Sequence, residues 1–369
     1  MEEDVTEGTG SALRKWVIGA CAALVMATAC GDDDGGINAP DEPDIPGCTD
    51  IAALNFERSA TMDDDSCEFD PSKVFQLESF DIGVDADTRQ VRVLMQVRDA
   101  QGRGAPGLSA SDFVIAENGR KNGSEADLRI DPGSTAIPTV LLLDISSSVE
   151  DLIPQIKEAA IALVNEINEG QTFAIYVFDK ESELVQDFTD DVDLLTDAIN
   201  SIRELGLFDS TNLFGSIIDV AATWQDELTV DNIVDGSLII FTDGFHNADP
   251  SLGVQDAIDA MIGPNQRLKK MYVAALDSPD LARAPLQQLT FDTMGFFEAA
   301  DITELNDVLL TIQSEIVDLS NSIYLVTYTS PITNPESRKE DLLLKILGNS
   351  NHESDGFIEA TFDSEGFGN

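Results

Sequence analysis

Short apolar runs alternate with helical patterns through the middle of this chain, and that alternation constrains its fold more than any other feature. Apolar residues recur at helical spacing from Leu152 to Ile167 and from Leu305 to Leu319. The apolar runs around them are Pro138–Leu143, Phe173–Phe178, Leu238–Phe241, Met271–Leu276 and Phe296–Ala299. This order predicts an α/β fold of the doubly wound, Rossmann-like kind, with a mostly parallel sheet and helices on both faces.

The flanking sequences predict a second, all-β unit. Val91, Val93, Met95 and Val97 alternate with polar residues, and Glu117-Asn118-Gly119 is a tight-turn signal. Strand patterns return late in the chain, at Tyr324–Tyr328, Leu342–Leu347 and Phe357–Phe362. Because a lone hairpin is marginally stable, we expect residues 72–135 and 322–369 to share one small β-sandwich. The α/β domain, residues 136–321, would flank this sandwich or be inserted between its strands.

Oxygen-bearing side chains follow two of the central apolar runs. Asp144, Ser146 and Ser148 come after the first run, Asp243 comes after the third, and Thr211 opens a helix between them. Ligands of open α/β sheets bind beyond the carboxyl ends of the strands, and Mg²⁺ prefers oxygen ligands. The pattern therefore predicts a metal site at this edge. The alternative is that these residues only cap helices and turns, which Ser, Thr and Asp often do.

Three motifs in this region resemble those of von Willebrand factor type A domains. Asp144-Ile145-Ser146-Ser147-Ser148 matches their DxSxS motif, and Phe241-Thr242-Asp243-Gly244 matches their TDG element. Ser210-Thr211-Asn212-Leu213 matches the element between these two. The three occur in the expected order, and the resemblance covers about residues 136–321. It implies a metal-ion-dependent adhesion site in which Ser146, Ser148 and Thr211 coordinate the ion, with Asp144 and Asp243 bound directly or through water.

The charge of this predicted site indicates its partner. Two carboxylates neutralise a divalent ion, and neutral hydroxyls fill further positions, so one coordination position stays open for an outside carboxylate. We therefore expect a protein ligand that presents an acidic residue. Mg²⁺ is the expected ion, with Mn²⁺ or Ca²⁺ as alternatives.

The N-terminal sequence predicts export. Arg14 and Lys15 precede an apolar stretch, Trp16–Ala29, that is shorter than the about 20 residues of a membrane span. Small residues directly before Cys30 resemble a bacterial lipobox, which implies that residues 1–29 are a signal peptide and that Cys30 is lipidated. Lipid anchoring in the cell envelope, at the outer membrane or cell surface, is favoured over simple secretion, with an uncleaved anchor third.

Two short segments follow this signal. Residues 30–46 are rich in Asp, Gly and Pro and predict an extended tether. Residues 47–69 resemble the GCTD...DDGSC repeats of bacterial surface proteins, and after loss of Cys21 and lipidation of Cys30 only Cys48 and Cys67 remain, which predicts a disulfide between them. Ca²⁺ binding by acidic residues of this segment is the alternative to a plain spacer; the residues concerned are Asp50, Asp63 and Asp64.

The composition of the chain disfavours several classes of partner and of activity. With 21 Lys and Arg against 69 Asp and Glu, the net charge of -48 disfavours nucleic acid and anionic lipid as partners. The sequence contains no GxSxG, HExxH or GxxxxGK[ST] motif, and its only histidines are His246 and His352, so no enzyme activity is expected.

Three functions are consistent with these observations. The first and favoured is a surface adhesion or protein-interaction module that works through the metal. The second is a structural or scaffolding envelope lipoprotein in which the metal only stabilises the domain. The third is the chelatase or ATPase-partner role of some intracellular relatives, against which the export signal counts.

Overall fold

Strands and helices occur in the alternating order that the sequence predicts. The computed structural model describes residues 44–121, 129–131, 135–203, 210–243, 246–264, 266–277, 281–293, 295–301, 303–334, 336 and 338–368. The predicted signal peptide, the lipidation site Cys30 and residues 30–43 of the predicted tether lie outside these ranges. None of the helices in the described ranges is long and apolar enough to cross a membrane.

The elements are numbered here in chain order. The strands are β1 (Pro46–Gly47), β2 (Met62–Asp63), β3 (Phe75–Asp85), β4 (Gln90–Asp99), β5 (Phe113–Glu117), β6 (Arg120–Lys121), β7 (Arg129–Asp131), β8 (Ile137–Asp144), β9 (Gln171–Phe178), β10 (Ser182–Thr189), β11 (Glu227–Leu228), β12 (Ile233–Val234), β13 (Ser237–Thr242), β14 (Lys270–Leu276), β15 (Phe296–Ala299), β16 (Ile323–Thr329), β17 (Lys339–Ile346) and β18 (Phe357–Asp363). The α-helices are α1 (Ile153–Asn165), α2 (Val192–Ser201), α3 (Leu213–Val220), α4 (Val254–Ala260), α5 (Arg283–Leu289) and α6 (Leu305–Ser320).

The central sheet has six strands in the order β10-β9-β8-β13-β14-β15. All its pairings are parallel except that of β10 with β9. The apolar runs predict the five parallel strands. They do not predict β10, whose residues are exposed or half-buried because it lies at the edge of the sheet.

Helices cover both faces of this sheet, which confirms the doubly wound α/β prediction. Buried side chains of α1, α2 and α6 form the core on one face, among them Ile156, Leu195 and Leu309. Those of α3, α4 and α5 form the core on the other face, among them Ile217, Ala257 and Leu286. The strands supply both cores because successive side chains point to opposite faces.

The second unit is a β-sandwich of two four-stranded sheets, ordered β3-β4-β16-β7 and β18-β17-β5-β6. Each sheet combines strands from before and after the α/β domain, so that domain is an insertion within the sandwich. Asn118 and Gly119 have left-handed backbone angles, with φ of 49° and 74°, in the turn between β5 and β6. The tight turn expected from Asn-Gly is therefore confirmed.

The two units meet along a packed seam. Leu228, Val230 and Ile233, which lie on and between β11 and β12, pack against Leu94 and Ile323 of the sandwich. At a second contact, a Cβ added to Gly104 would lie 2.3 Å from the backbone oxygen of Asp318 in α6. Only a glycine permits this approach, so the end of α6 lies directly against the sandwich.

The segment after the tether packs on the outer face of the sandwich. Cys48 and Cys67 form a disulfide, as predicted, and Ile51 and Ala52 pack against β5. The Asp50 carboxylate forms an ion pair of 2.8 Å with Lys345. Asp63 accepts hydrogen bonds from Thr49 and Asp65, and Asp64 accepts one from Ser66. These separate partners favour the spacer interpretation, and calcium binding by this segment stays a prediction.

Candidate metal centre

The predicted site residues lie where β8 and β13 end at one edge of the central sheet. The two strands are parallel and in register, with Leu143 opposite Phe241, so Asp144 and Thr242 end side by side. The Thr242 hydroxyl donates a hydrogen bond of 2.7 Å to Asp144 Oδ2. Asp144 is the last residue of its strand and is fully buried. Strand register therefore holds this carboxylate rigidly.

Polar groups of the loop after β8 form hydrogen bonds that lead back to the same carboxylate. The Ser146 backbone N–H donates to Asp144 Oδ1 at 2.9 Å. Ser146 Oγ and Ser148 Oγ are hydrogen-bonded at 3.0 Å, and Ser148 Oγ donates to Asp243 Oδ1 at 3.0 Å. Four of the five predicted residues are thus linked in one continuous chain, from Asp144 to Asp243.

Thr211 is the fifth predicted residue, and the structure connects it through its backbone. Its N–H donates to Asn247 Oδ1 at 2.7 Å, and its carbonyl accepts the Asn247 N–H at 3.0 Å. Among the hydrogen bonds of the described residues, none joins its side chain to the other four. Asn247, which the sequence analysis missed, thus ties the Thr211 loop to the segment after Asp243. Only its position, four residues after Asp243, could have suggested it.

An ion pair between a buried aspartate and a partly exposed arginine supports the same loop from the other side. Asp179, directly after β9, is 2% exposed, and it accepts a hydrogen bond of 2.6 Å from Arg203 Nη2. Its backbone carbonyl accepts the Asn212 N–H at 2.7 Å. Sequence reasoning did not pair Asp179 with Arg203, because a separation of 24 positions in the chain leaves no local signal.

His246 is fixed in place rather than exposed on a mobile loop. Its ring stacks on Phe214 with centroids 4.8 Å apart, and its Nδ1 accepts the Phe214 N–H at 3.4 Å. Its other ring nitrogen lies against the Asp249 carbonyl. Both ring nitrogens therefore have a partner, and the ring supports the start of α3.

Burial governs the electrostatics of both carboxylates. Burial raises the pKa of Asp144 to about 6, with a smaller raising contribution from the charge of Asp243, while bonds from Ser146 and Thr242 act in the opposite direction. Burial also raises the pKa of Asp243, against a lowering hydrogen bond from Ser148. A buried and a partly buried carboxylate, both with raised pKa values, are a favourable environment for a cation.

The donor set identifies the kind of cation that fits. The described residues include no group of three or more His, Cys, Asp or Glu side chains arranged for a metal. The linked side chains instead provide two carboxylates and two serine hydroxyls, with Thr211 nearby on its loop. Oxygen-only donors of this type suit a hard ion such as Mg²⁺ or Ca²⁺. The residues present therefore fit a hard divalent cation.

Without metal, the stability of the α/β domain should depend on pH through Asp144. The pKa of Asp144 in the folded protein, about 6, lies above the ordinary value of 3.8. The stabilisation that Asp144 gives to the folded state is therefore complete below about pH 4 and is lost as pH rises through about 6, which lowers the free energy of unfolding by about 3 kcal/mol. Urea unfolding in chelator should show this decrease in the parent and not in Asp144→Asn; parallel curves of unfolding free energy against pH for the two proteins would contradict the assignment.

The fold and the linked polar residues define an α/β domain with an oxygen-rich ligand edge. Residues 139–246 match the family model for the von Willebrand factor type A domain. This stretch of the chain is therefore similar to a von Willebrand factor type A domain, which confirms the resemblance seen in the motifs. The matched stretch runs from β8 past β13 and includes the residues of all three motifs. No curated protein matches the sequence at a significant level.

Several solved structures have similar folds. A von Willebrand factor type A structure from Catenulispora acidiphila is 12% identical, with 81% of this chain and 74% of that chain covered and a TM-score of 0.43. The ArnB paralog VWA2 from Sulfolobus acidocaldarius is 15% identical, with 79% and 74% covered and a TM-score of 0.42. Proximal thread matrix protein 1 from the mussel byssus, with a zinc-occupied MIDAS motif, is 14% identical, with 56% and 50% covered and a TM-score of 0.41. This chain thus spans half the length of the mussel protein. Similarity at this level describes architecture and carries no statement about binding.

Proposed function

We propose that this chain is a cell-envelope protein that binds a protein partner through a divalent metal ion. The ion, expected to be Mg²⁺ with Mn²⁺ or Ca²⁺ as alternatives, is held by the five residues predicted from the sequence, Asp144, Ser146, Ser148, Thr211 and Asp243. The observation that carries the proposal is the chain of hydrogen bonds from Asp144 through the two serines to Asp243. It gathers oxygen donors from two strand ends at the edge where open α/β sheets bind ligands.

The chemistry of these residues supports an acidic partner. Asp144 and Asp243 offset the charge of a divalent ion, and the serine hydroxyls are neutral, so an additional carboxylate is attracted rather than repelled. Asp144 is buried, whereas Ser148 and Asp243 meet in the more exposed part of the site. A guest carboxylate would approach from that side. The metal, when bound, would attract the partner's carboxylate, and the chain's own residues would hold the metal in position.

Envelope attachment is a separate part of the proposal and rests on the N-terminal sequence. A lipid on Cys30 would hold the folded unit at the membrane surface, and residues 31–46 would act as a spacer between the membrane and that unit. The role proposed for the attached protein is binding, with no catalytic step.

Capture experiments with the native cell envelope test the proposal. We expect the full chain to retain a protein partner in Mg²⁺, and EDTA or Ser146→Ala to reduce that capture at least about tenfold, because each removes the metal or one of its donors. Ser201→Ala, at the exposed end of α2, is the matched control and should capture normally.

Capture of the partner that persists in EDTA and in Ser146→Ala would eliminate metal-dependent recognition. Calorimetry with a peptide ending in glutamate separates adhesion from scaffolding. Heat of binding that requires Mg²⁺ supports adhesion, whereas Mg²⁺ binding without any peptide response supports a metal that only stabilises the domain.

A further inference from the structure

A cavity of about 400 Å³ lies at the seam between the sandwich and the α/β domain. Two strands of the sandwich form one wall, and two loops and the last helix of the α/β domain form the other. Among the lining residues are Glu78, Arg98, Arg267, Lys269, Lys270 and Leu319. Ligand pockets typically measure about 300–1,000 Å³ and often lie at interfaces between domains. The cavity is therefore large enough for a small molecule.

The lining of this seam cavity is basic, although the chain as a whole is strongly acidic. The chain has only 21 Lys and Arg in 369 residues and a net charge of -48. Four basic side chains nevertheless line the cavity, against two acidic ones, Glu78 and Asp292. Salt screens the distant acidic surface more strongly than charges in close contact. The cavity therefore favours an anion that reaches its interior.

Two of these four basic side chains serve the fold. Lys269, which is 5% exposed, donates hydrogen bonds to the backbone carbonyls of Ala221 and Trp224. Lys270 forms an ion pair with Asp235. The two arginines are therefore the better candidates for contacts with a ligand.

The protein holds both guanidinium groups in position. Arg98 Nε and Nη2 donate to Gln96 Oε1 at 3.1 and 2.8 Å, and Gln96 is 1% exposed. These bonds use two of the five N–H groups of the guanidinium. The Arg267 guanidinium lies over the Phe80 ring, 4.3 Å from the ring centroid. Because both side chains are already ordered, less conformational entropy is lost when they bind a ligand.

Glu78 faces both guanidinium groups without a close contact to either. Its carboxylate oxygens lie 4.0 Å from Arg98 Nη2 and 3.5 Å from Arg267 Nη1. Hydrogen bonds between arginine and a carboxylate are ordinarily about 2.7–2.9 Å long. The Glu78 side chain is 51% exposed, so it can turn into solvent at little cost. An incoming anion can therefore replace Glu78 as the partner of the two arginines.

We propose that the seam cavity binds a small organic anion whose carboxylate or phosphate group is held by Arg98 and Arg267. Both groups match the planar fork of N–H donors that arginine presents. Leu268 and Leu319 also line the cavity and would contact the carbon skeleton of the ligand. Arg98 belongs to the sandwich and Arg267 to the α/β domain, so the bound anion would link the two units.

This site is separate from the candidate metal centre. Lys270 pairs with Ser237, the first residue of β13, whereas the metal residue Asp243 follows the last residue of that strand. The cavity and the metal centre thus lie at opposite edges of the central sheet. Anion binding in the cavity therefore does not require the metal.

Titration calorimetry on the full chain, stripped of metal on a chelating resin, tests this site. The probes are citrate and glycerol 3-phosphate at matched ionic strength, and the one that binds more tightly identifies the preferred group. We expect Arg267→Met to weaken binding at least about tenfold, because it removes charged hydrogen-bond donors. Glu78→Gln should strengthen binding about two- to fivefold, because it removes a competing exposed carboxylate. Arg338→Met is the matched control, because it removes the same charge from an exposed position beside β17.

Thermal unfolding of each protein without anion shows whether the variant is folded. Glu78→Gln changes a half-exposed side chain, so we expect it to fold even if Arg267→Met does not. The anion-binding site is overturned if neither probe binds the parent, if Arg267→Met binds like Arg338→Met, or if Glu78→Gln binds no more tightly than the parent. None of these results bears on the metal centre, because the titrations are made without metal.

Discussion

Replacing Asp144 with asparagine is expected to lower Mg²⁺ affinity at least about 100-fold while the domain remains folded. Residues that only support metal ligands typically contribute 10 to 100-fold, and Asp144 is proposed to act on the ion itself. Asparagine retains a carbonyl oxygen for the Ser146 N–H, and the Thr242 hydroxyl can rotate to accept from the amide. What is lost is one of the two negative charges.

Titration calorimetry with Mg²⁺ and Mn²⁺ measures this change. Asp197→Asn is the matched control, because it removes the same charge from an exposed position of α2 and should bind metal like the parent. The thermal midpoint in EDTA checks that the variant is folded. Equal Mg²⁺ affinity in the parent and in Asp144→Asn would contradict the proposed metal centre directly.

The second large effect is expected from Arg203→Met. This change leaves the Asp179 carboxylate buried without its guanidinium partner. Removing one member of a fully buried pair costs 3–5 kcal/mol, and because Arg203 is 41% exposed we expect a loss of about 2 kcal/mol of unfolding free energy. The Asp179 carbonyl holds the Asn212 N–H, so Mg²⁺ affinity should also fall, by about tenfold.

A double variant separates this explanation from general damage. Asp179→Asn in the Arg203→Met background removes the unpaired negative charge of the Asp179 carboxylate, and should recover most of the stability and of the Mg²⁺ affinity. Glu183, the other partner of Arg203, is 62% exposed, so Glu183→Gln should change stability by less than about 0.5 kcal/mol. Urea unfolding and metal titration report both quantities. If Arg203→Met alone is as stable as the parent, the ion pair does not support the Thr211 loop.

Local patterns predicted the central sheet well because burial from both sides imposes an apolar run on each inner strand. β8, β9 and β13 are such strands, and their residues are mostly buried. The edge strand β10 was not predicted because its side chains are exposed or half-buried, so its sequence has no apolar run. The five proposed metal residues were found because their motifs are short and each lies at an element boundary.

The partners of charged residues could not be predicted from local patterns. Asp179 and Arg203 are 24 residues apart, and Glu117 and Ser330 are 213 apart. The hydropathy of a glutamate suggests a solvated surface position, so Glu117 and Glu340 gave no sign of burial. Their burial follows from the alternation of their strands once both sheets are assembled.

The amino-acid sequence by itself determined the order of strands and helices, the von Willebrand factor type A motifs, the Asn-Gly turn and the pairing of Cys48 with Cys67. These depend on neighbours a few residues away or, for the disulfide, on the prediction that Cys21 and Cys30 are not available to pair. Tertiary structure alone decided which strands from the two ends of the chain share a sheet, how the Thr211 loop is anchored and which partners the buried carboxylates have. Those features depend on contacts between residues far apart in the chain, and no local pattern encodes which distant segment will supply the partner.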